Sequence, residues 1–131
     1  MKSLSEIETT SKRASRASGY SWGISEEVGK SIRLLEMFNL KGVKNLNEYF
    51  KEKQNKNFEY LNLINEKNEC SEFSYCPIIL GVSFLDQIEN LEKIKTINFS
   101  KIAYPLLFLS FLSRSSEVIG KKIFFKFEKN E

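Results

Sequence analysis

Two adjacent carboxylates, Glu26 and Glu27, follow the only tryptophan of the chain in the segment SGYSWGISEEVG, residues 18–29. Paired carboxylates can act as acid and base when both flank the bond that reacts. Neighbouring residues of a helix project about 100° apart, so these two side chains are poorly placed to share one reaction centre. Either Glu26 or Glu27 alone is therefore a candidate catalytic base, but the two are not a candidate pair.

The same segment also forms a candidate binding site for a ligand or a partner. Its members are Arg13, Arg16, Tyr20, Trp22, Glu26 and Glu27. The guanidinium groups can clamp a carboxylate or phosphate, the two rings offer flat walls, and free N–H groups at a helix start favour an anion. The two carboxylates would repel that anion, and in an alternative they themselves bind a cation or a partner's arginine. In the purely structural alternative, Trp22 fills the gap at a helix–turn–helix corner.

The chain contains no histidine, which removes the commonest general base and the commonest metal ligand. We therefore expect neither a metal site nor a cofactor. Cys70 and Cys76 are six residues apart, match no zinc spacing and are expected to be free thiols. No base is visible near Cys76, so a buried inert thiol explains it better than a nucleophile. Asp86 is expected to cap a helix or to face solvent, with a structural hydrogen bond as the alternative.

Length and composition indicate one globular domain over residues 1–131, with 41% hydrophobic and 28% charged residues. The 20 basic and 17 acidic residues are interspersed, which argues against nucleic-acid binding. The longest apolar run, residues 102–112, is shorter than the roughly 20 residues that a membrane helix needs. The N-terminus has no signal-peptide pattern, so we expect a cytoplasmic protein without membrane contact.

Hydrophobic periodicity predicts a helix-dominated α+β fold that begins with a helix–turn–helix over about residues 3–41. Ser3 and Glu6 form a capping-box pattern at the start of the first helix, and Gly19 would end it. The second helix is predicted to start near Ser25, with the two glutamates in its first turn, and to end at Gly42.

The remainder is predicted to be α+β. A helix is expected within residues 45–54, residues 58–65 fit either a strand or a helical turn, and Gly81 would break the segment that Pro77 opens. A buried helix should run from Pro105 toward Gly120. Residues 121–129 alternate as in a strand, with Ile123, Phe125 and Phe127 on one face and Phe124, Lys126 and Glu128 on the other. The second phenylalanine-bearing face suggests a homodimer surface.

The segment RASGYSWGISEEVGKSIRLLEMFNLKG resembles the N-terminal signature of a bacterial family of unknown function, DUF3726. The matching residues are Ala17, Gly19, Ser21, Trp22, Gly23, Glu26, Glu27 and Arg33. A weaker similarity covers Gly81, Asp86 and Pro105 to Leu107. The resemblance implies that the protein is bacterial and cytosolic and shares the fold of that family. It implies nothing about a catalysed reaction.

Three hypotheses for function follow. The leading one is a non-catalytic binding or accessory protein that recognises a small anionic metabolite or a partner protein through the candidate binding residues. The second is a histidine-free enzyme acting on a carboxylate-bearing metabolite, with Glu26 or Glu27 as base and an arginine holding the substrate. The third is a structural homo-oligomer.

Overall fold

The computed structural model describes residues 3–69 and 72–126, and within them it contains six helices and two short strands. In chain order these are α1 (Leu4–Ala17), α2 (Trp22–Met37), α3 (Gly42–Lys53), β1 (Lys67–Asn68), α4 (Pro77–Asp86), α5 (Ile88–Leu91), β2 (Asn98–Phe99) and α6 (Pro105–Ile119). The predicted helix-dominated α+β class is thus confirmed. None of the described helices is both long enough and apolar enough to cross a bilayer.

The first two helices form a closely packed antiparallel hairpin. Ser3 caps α1 as predicted, because its Oγ accepts a hydrogen bond of 3.2 Å from the Glu6 N–H. On the facing sides, Ser15 and other small residues are buried. At Gly29 a Cβ atom would lie only 2.8 Å from the Glu8 carbonyl oxygen. Small side chains therefore let the two backbones approach each other.

The connection between α1 and α2 is shorter than predicted. Gly19, with φ +101°, follows α1, and Ser21 already caps α2 by accepting a 3.3 Å bond from the Ile24 N–H. The predicted start near Ser25 was wrong because Ser21, one turn earlier, provides the cap. The first turn of α2 therefore holds no acidic residue. Glu26 lies beyond that turn and does not cap the helix.

The end of α2 also differs from the prediction. The helix ends at Met37 in a Schellman motif: Asn39 has φ 59°, and the Leu40 N–H donates to the Leu35 carbonyl over 2.9 Å. Gly42 does not end α2 but begins α3. A Cβ there would lie 2.8 Å from the Leu35 Cβ, so the glycine allows α3 to start against α2.

Helices α4 and α6 form the second packed pair. Pro77 begins α4, and the helix continues through Gly81 without the predicted break. Gly81 is required there for packing, since a Cβ would lie 2.3 Å from the Phe111 ring of α6. Helix α6 runs from Pro105 to Ile119 and is followed by Gly120 at φ +64°, as predicted.

The two short strands of the described residues lie in the C-terminal half, as the α+β prediction required, but not in the segments 58–65 and 121–129. β1 and β2 pair in parallel, with Lys67 opposite Asn98. Residues 58–65 form neither helix nor strand beyond one bridge from Glu59 to Tyr75.

The predicted C-terminal strand was wrong for residues 121–126, where no described strand pairs with the segment. The alternation nevertheless reflects packing. Ile123 and Phe125 lie against the core, and Phe124 is 90% exposed. Residues Phe127 and Glu128 of the same prediction lie outside the described residues.

Two hydrophobic clusters fill the interior. The first joins α2, α3, α4 and α6 to the α1–α2 connection and consists of Tyr20, Val28, Ile32, Leu35, Leu46, Tyr49, Cys76, Ile78 and Leu107. The second is centred on α4, α5 and α6. Through Tyr20, the first cluster reaches the connection between the two helices that carry the other candidate binding residues.

Candidate functional site

Trp22 lies on the surface at the start of α2, with 60% of its area exposed. Its ring is flanked by two cations of α1: the Arg16 guanidinium carbon is 4.8 Å from the ring centroid and the Lys12 Nζ is 5.6 Å from it. The structural alternative, in which Trp22 fills the gap between the helices, was therefore wrong.

Both cations are also held by oxygen acceptors beside the ring. Arg16 Nη1 donates to the Tyr20 carbonyl oxygen over 2.9 Å, and Lys12 Nζ donates to Glu26 Oε1 over 3.1 Å. We call this exposed group of Lys12, Arg16, Trp22 and Glu26 the Trp22 corner. The ring thus contacts two cations that each also bond to an oxygen acceptor, and such contacts restrict its freedom in part.

Tyr20 points the other way, into the core, and is 4% exposed. Its hydroxyl lies 3.4 Å from the Tyr49 hydroxyl and 3.3 Å from Cys76 Sγ, and the Tyr49 hydroxyl donates to the same sulfur over 2.7 Å. Burial is the main cause that raises the pKa of both tyrosines, so both hydroxyls stay protonated at a pH where an exposed tyrosine ionises. Tyr20 therefore cannot be the second aromatic wall that the sequence suggested.

Cys76 is a buried free thiol, as expected, but it belongs to a hydrogen-bonded group that the sequence did not indicate. We call Tyr20, Tyr49 and Cys76 the buried cluster. Cys70 lies outside the described residues.

Lys53 covers the buried cluster, with its Nζ 4.1 Å from the Tyr20 ring centroid and 3.1 Å from the Ser18 carbonyl oxygen. Burial lowers the pKa of Lys53.

Glu27 serves a different contact from Glu26. Its carboxylate pairs with the Arg114 guanidinium of α6, whose Nη1 also donates to the Glu27 carbonyl oxygen and to Ser31 Oγ, each over 3.1 Å. Glu27 thus ties α2 to α6, while Glu26 faces α1. Because each carboxylate pairs with a cation on a different helix, the two share no reaction centre.

The other predicted residues are placed as follows. Arg13 is exposed and forms no ion pair with a described residue. Asp86 is exposed to solvent, one of the roles expected for it. A shallow depression of about 440 Å³ is lined by Glu27, Leu85, Arg114, Glu117 and Val118 and does not include Trp22. No group of three potential metal ligands exists among residues 3–69 and 72–126.

The structure thus brings Arg16, Trp22 and Glu26 together and separates Tyr20 and Glu27 from them. It adds Lys12, which the predicted site omitted. The signal was present, because Lys12 and Arg16 are four residues apart and share one helix face. Chemically, the corner offers an apolar ring, two cations and one carboxylate on an open surface. This set of groups is better suited to binding another molecule than to catalysing a reaction.

Comparison with known proteins locates the corner within a family. No curated protein and no solved structure matches the chain. The family described as "Protein of unknown function (DUF3726)" matches residues 2–74, which include α1, α2, α3 and every residue of the Trp22 corner. Since this match covers more than half of the 131 residues, the chain belongs to the DUF3726 family.

Proposed function

We propose that this protein is a non-catalytic binding protein that recognises an acidic segment of a partner protein through the Trp22 corner. The observation that carries the proposal is an exposed tryptophan whose ring contacts the cations of both Arg16 and Lys12. Tryptophan and arginine are the residue types most enriched among those that dominate binding energy at protein interfaces.

The contacts of the Trp22 ring with two cations support a role for this side chain as the main contact residue of an interface. Binding must offset the loss of side-chain freedom at the interface, and a ring already held in place loses less. Arg16 contributes both to the stacking on the ring and to the bond with the Tyr20 carbonyl, so it stays in place when a partner approaches. A partner would cover the exposed face of the indole and place a carboxylate beside the guanidinium.

The open shape of the corner favours a protein partner over a small metabolite. Metabolite sites are concave and bury most of the ligand. Trp22 lines neither the depression at Glu27 and Arg114 nor a second one at Glu89 and Lys93, and Tyr20 gives no second wall because it is buried. The charges favour an acidic segment, because the cations of Lys12 and Arg16 both lie beside the ring.

The proposal can be tested with the intrinsic fluorescence of Trp22, the only tryptophan in the chain. The probe is a synthetic peptide of twelve residues in which glutamate alternates with leucine, compared with the same peptide carrying glutamine in place of glutamate. We expect the acidic peptide alone to shift the emission with saturation. Trp22→Ala, followed by peptide anisotropy, should abolish the binding, and Arg16→Gln should weaken it.

A matched control lies on the same hairpin. Arg33 forms an ion pair of 3.2 Å with Glu8 across α1 and α2, much as Lys12 does with Glu26, but without a tryptophan. Arg33→Gln should leave binding unchanged. Equal binding by the Trp22→Ala variant would rule the proposal out. A shift caused by citrate, and lost in Arg16→Gln, would instead assign the corner to a small anion.

A further inference from the structure

We infer that Glu26 is an intramolecular competitor for the acidic partner: it occupies Lys12 in the free protein and is displaced when a partner carboxylate binds. This inference rests on the proposed function and adds a means of regulating the same site. It assigns Glu26, named among the candidate binding residues, to the control of affinity rather than to direct contact with the ligand.

The geometry makes Glu26 part of the corner. Its Oε1 is 3.1 Å from the Lys12 Nζ, and that same ammonium lies 5.6 Å from the Trp22 ring centroid. A carboxylate arriving over the exposed ring therefore meets a lysine whose charge is already paired. It must either replace Glu26 or bind beside it and be repelled by its charge.

The exposure of the pair allows such an exchange. The side chains of Lys12 and Glu26 are 34% and 54% exposed, so water and an incoming carboxylate can reach both. Exposed ion pairs of this kind are worth little and re-form readily. Glu27 contrasts with this, since its Arg114 partner is only 18% exposed and makes two further bonds to α2.

The Glu8–Arg33 pair shows what is specific to the corner. It spans the same two helices at 3.2 Å with side chains that are 37% and 44% exposed. The two pairs are therefore matched in length and setting, and they differ in that the Lys12 ammonium lies beside the Trp22 ring. Neutralising Glu26 frees a cation at the proposed contact, whereas neutralising Glu8 frees one elsewhere.

The competition also bears on which class of partner fits. A carboxylate inside the contact disfavours anionic membranes and nucleic acids, which present dense and continuous negative charge. A protein segment with discrete carboxylates can place one charge at Lys12 and keep the rest away from Glu26. Vesicles containing phosphatidylserine and single-stranded DNA therefore serve as two further arms of the test. Binding of either with higher affinity than the acidic peptide would overturn the assignment.

The decisive experiment measures the dissociation constant of the acidic peptide for Glu26→Gln and for the matched variant Glu8→Gln. We expect Glu26→Gln to bind about threefold more tightly, the size expected when one exposed ion pair no longer has to be replaced. Glu8→Gln should bind as the unaltered protein does. The affinity of Glu26→Gln should also fall more steeply with salt, because a second free cation then contributes.

A double substitution separates displacement from general repulsion. If Glu26 acts by occupying Lys12, the gain from Glu26→Gln disappears in a Lys12→Gln background. A gain that persists there, or no gain from Glu26→Gln alone, overturns the inference while Trp22→Ala still abolishes binding and the proposed function stands. Binding that is insensitive to Trp22→Ala defeats the proposed function itself, so the two failures are distinguishable.

Discussion

Tyr20, in the connection between α1 and α2, and Trp22, the first residue of α2, are two residues apart, yet they lie in opposite environments. Tyr20 is 4% exposed and bonded within the buried cluster, whereas Trp22 is 60% exposed and lies between cations. A single short segment thus supplies both a core anchor and a surface ring. Aromatic residues that are close in sequence can therefore have different roles. The role of each depends on whether its side chain points into the core or toward solvent.

Arg16 links the two environments. Its guanidinium stacks on the Trp22 ring, and one of its N–H groups donates to the backbone carbonyl of Tyr20. The buried side chain of Tyr20 therefore holds in place the backbone carbonyl that accepts the hydrogen bond from Arg16. From this comparison we expect substitutions in the buried cluster to change mainly the free energy of unfolding, and substitutions in the corner to change mainly binding.

The largest effect is expected from Tyr49→Ala. Tyr49 is fully buried, contacts several rings and donates to Cys76, so its truncation leaves a cavity and a buried thiol without that donor. The free energy of unfolding should fall by about 3–5 kcal/mol, measured by urea denaturation followed by circular dichroism. The control is Tyr60→Ala, at an exposed tyrosine, which should cost less than about 1 kcal/mol. Similar losses in both variants would contradict the comparison.

The next effect is a loss of stability at alkaline pH. Burial raises the pKa of Tyr20 and Tyr49 above the ordinary value of 10.0, so above that pH the unfolded chain loses protons that the folded protein retains. The stabilisation is complete below pH 10 and declines above it, with a slope of about 1.4 kcal/mol per pH unit for each tyrosine. Urea denaturation between pH 9 and pH 11 should show this decline.

Phenylalanine variants identify the groups responsible. Tyr49→Phe and Tyr20→Phe should each reduce the alkaline slope, while Tyr60→Phe, at the exposed tyrosine, should reduce it less. A slope that is the same in the unaltered protein and in both core variants would mean that these two hydroxyls do not govern the alkaline loss.

The elements that the sequence predicted correctly are those set by local signals. Ser3 starts α1 through its own side chain, Pro105 starts α6 and Gly120 follows it at positive φ. Each signal acts within one turn of the chain, so no knowledge of the rest of the fold is needed.

The features that were missed depend on contacts between distant segments. Gly42 and Gly81 follow the usual pattern of helix-ending glycines, but each is placed where a neighbouring helix leaves no room for a Cβ. The candidate site was predicted in part for the same reason. Residue types located the segment, but the opposite directions of Tyr20 and Trp22, and the pairing of Glu27 with Arg114, come from packing against α3, α4 and α6.

Two glycines allow the same comparison between the core and the Trp22 corner: Gly81 is buried, and Gly23 is next to Trp22. Gly81→Ala should destabilise the protein by about 1–3 kcal/mol, because its Cβ would lie 2.3 Å from the Phe111 ring. Gly23→Ala, next to Trp22, should instead stabilise it by about 0.5–1 kcal/mol, because a Cβ meets nothing within 4 Å and alanine favours the helix. Urea denaturation of both variants measures the difference, and the same sign of change in both would refute it.

The smallest effect on stability is expected from Trp22→Ala. The ring is mostly in water, its two cation contacts are exposed, and alanine has the higher helix propensity at the start of α2. The free energy of unfolding should therefore change by less than about 1 kcal/mol, although the acidic peptide no longer binds. Tyr20→Ala, two residues away, should cost several times more, because it leaves a cavity in the buried cluster. If Trp22→Ala destabilised the protein as much as Tyr20→Ala does, the ring would be a structural anchor, and its exposure would no longer support a role in binding.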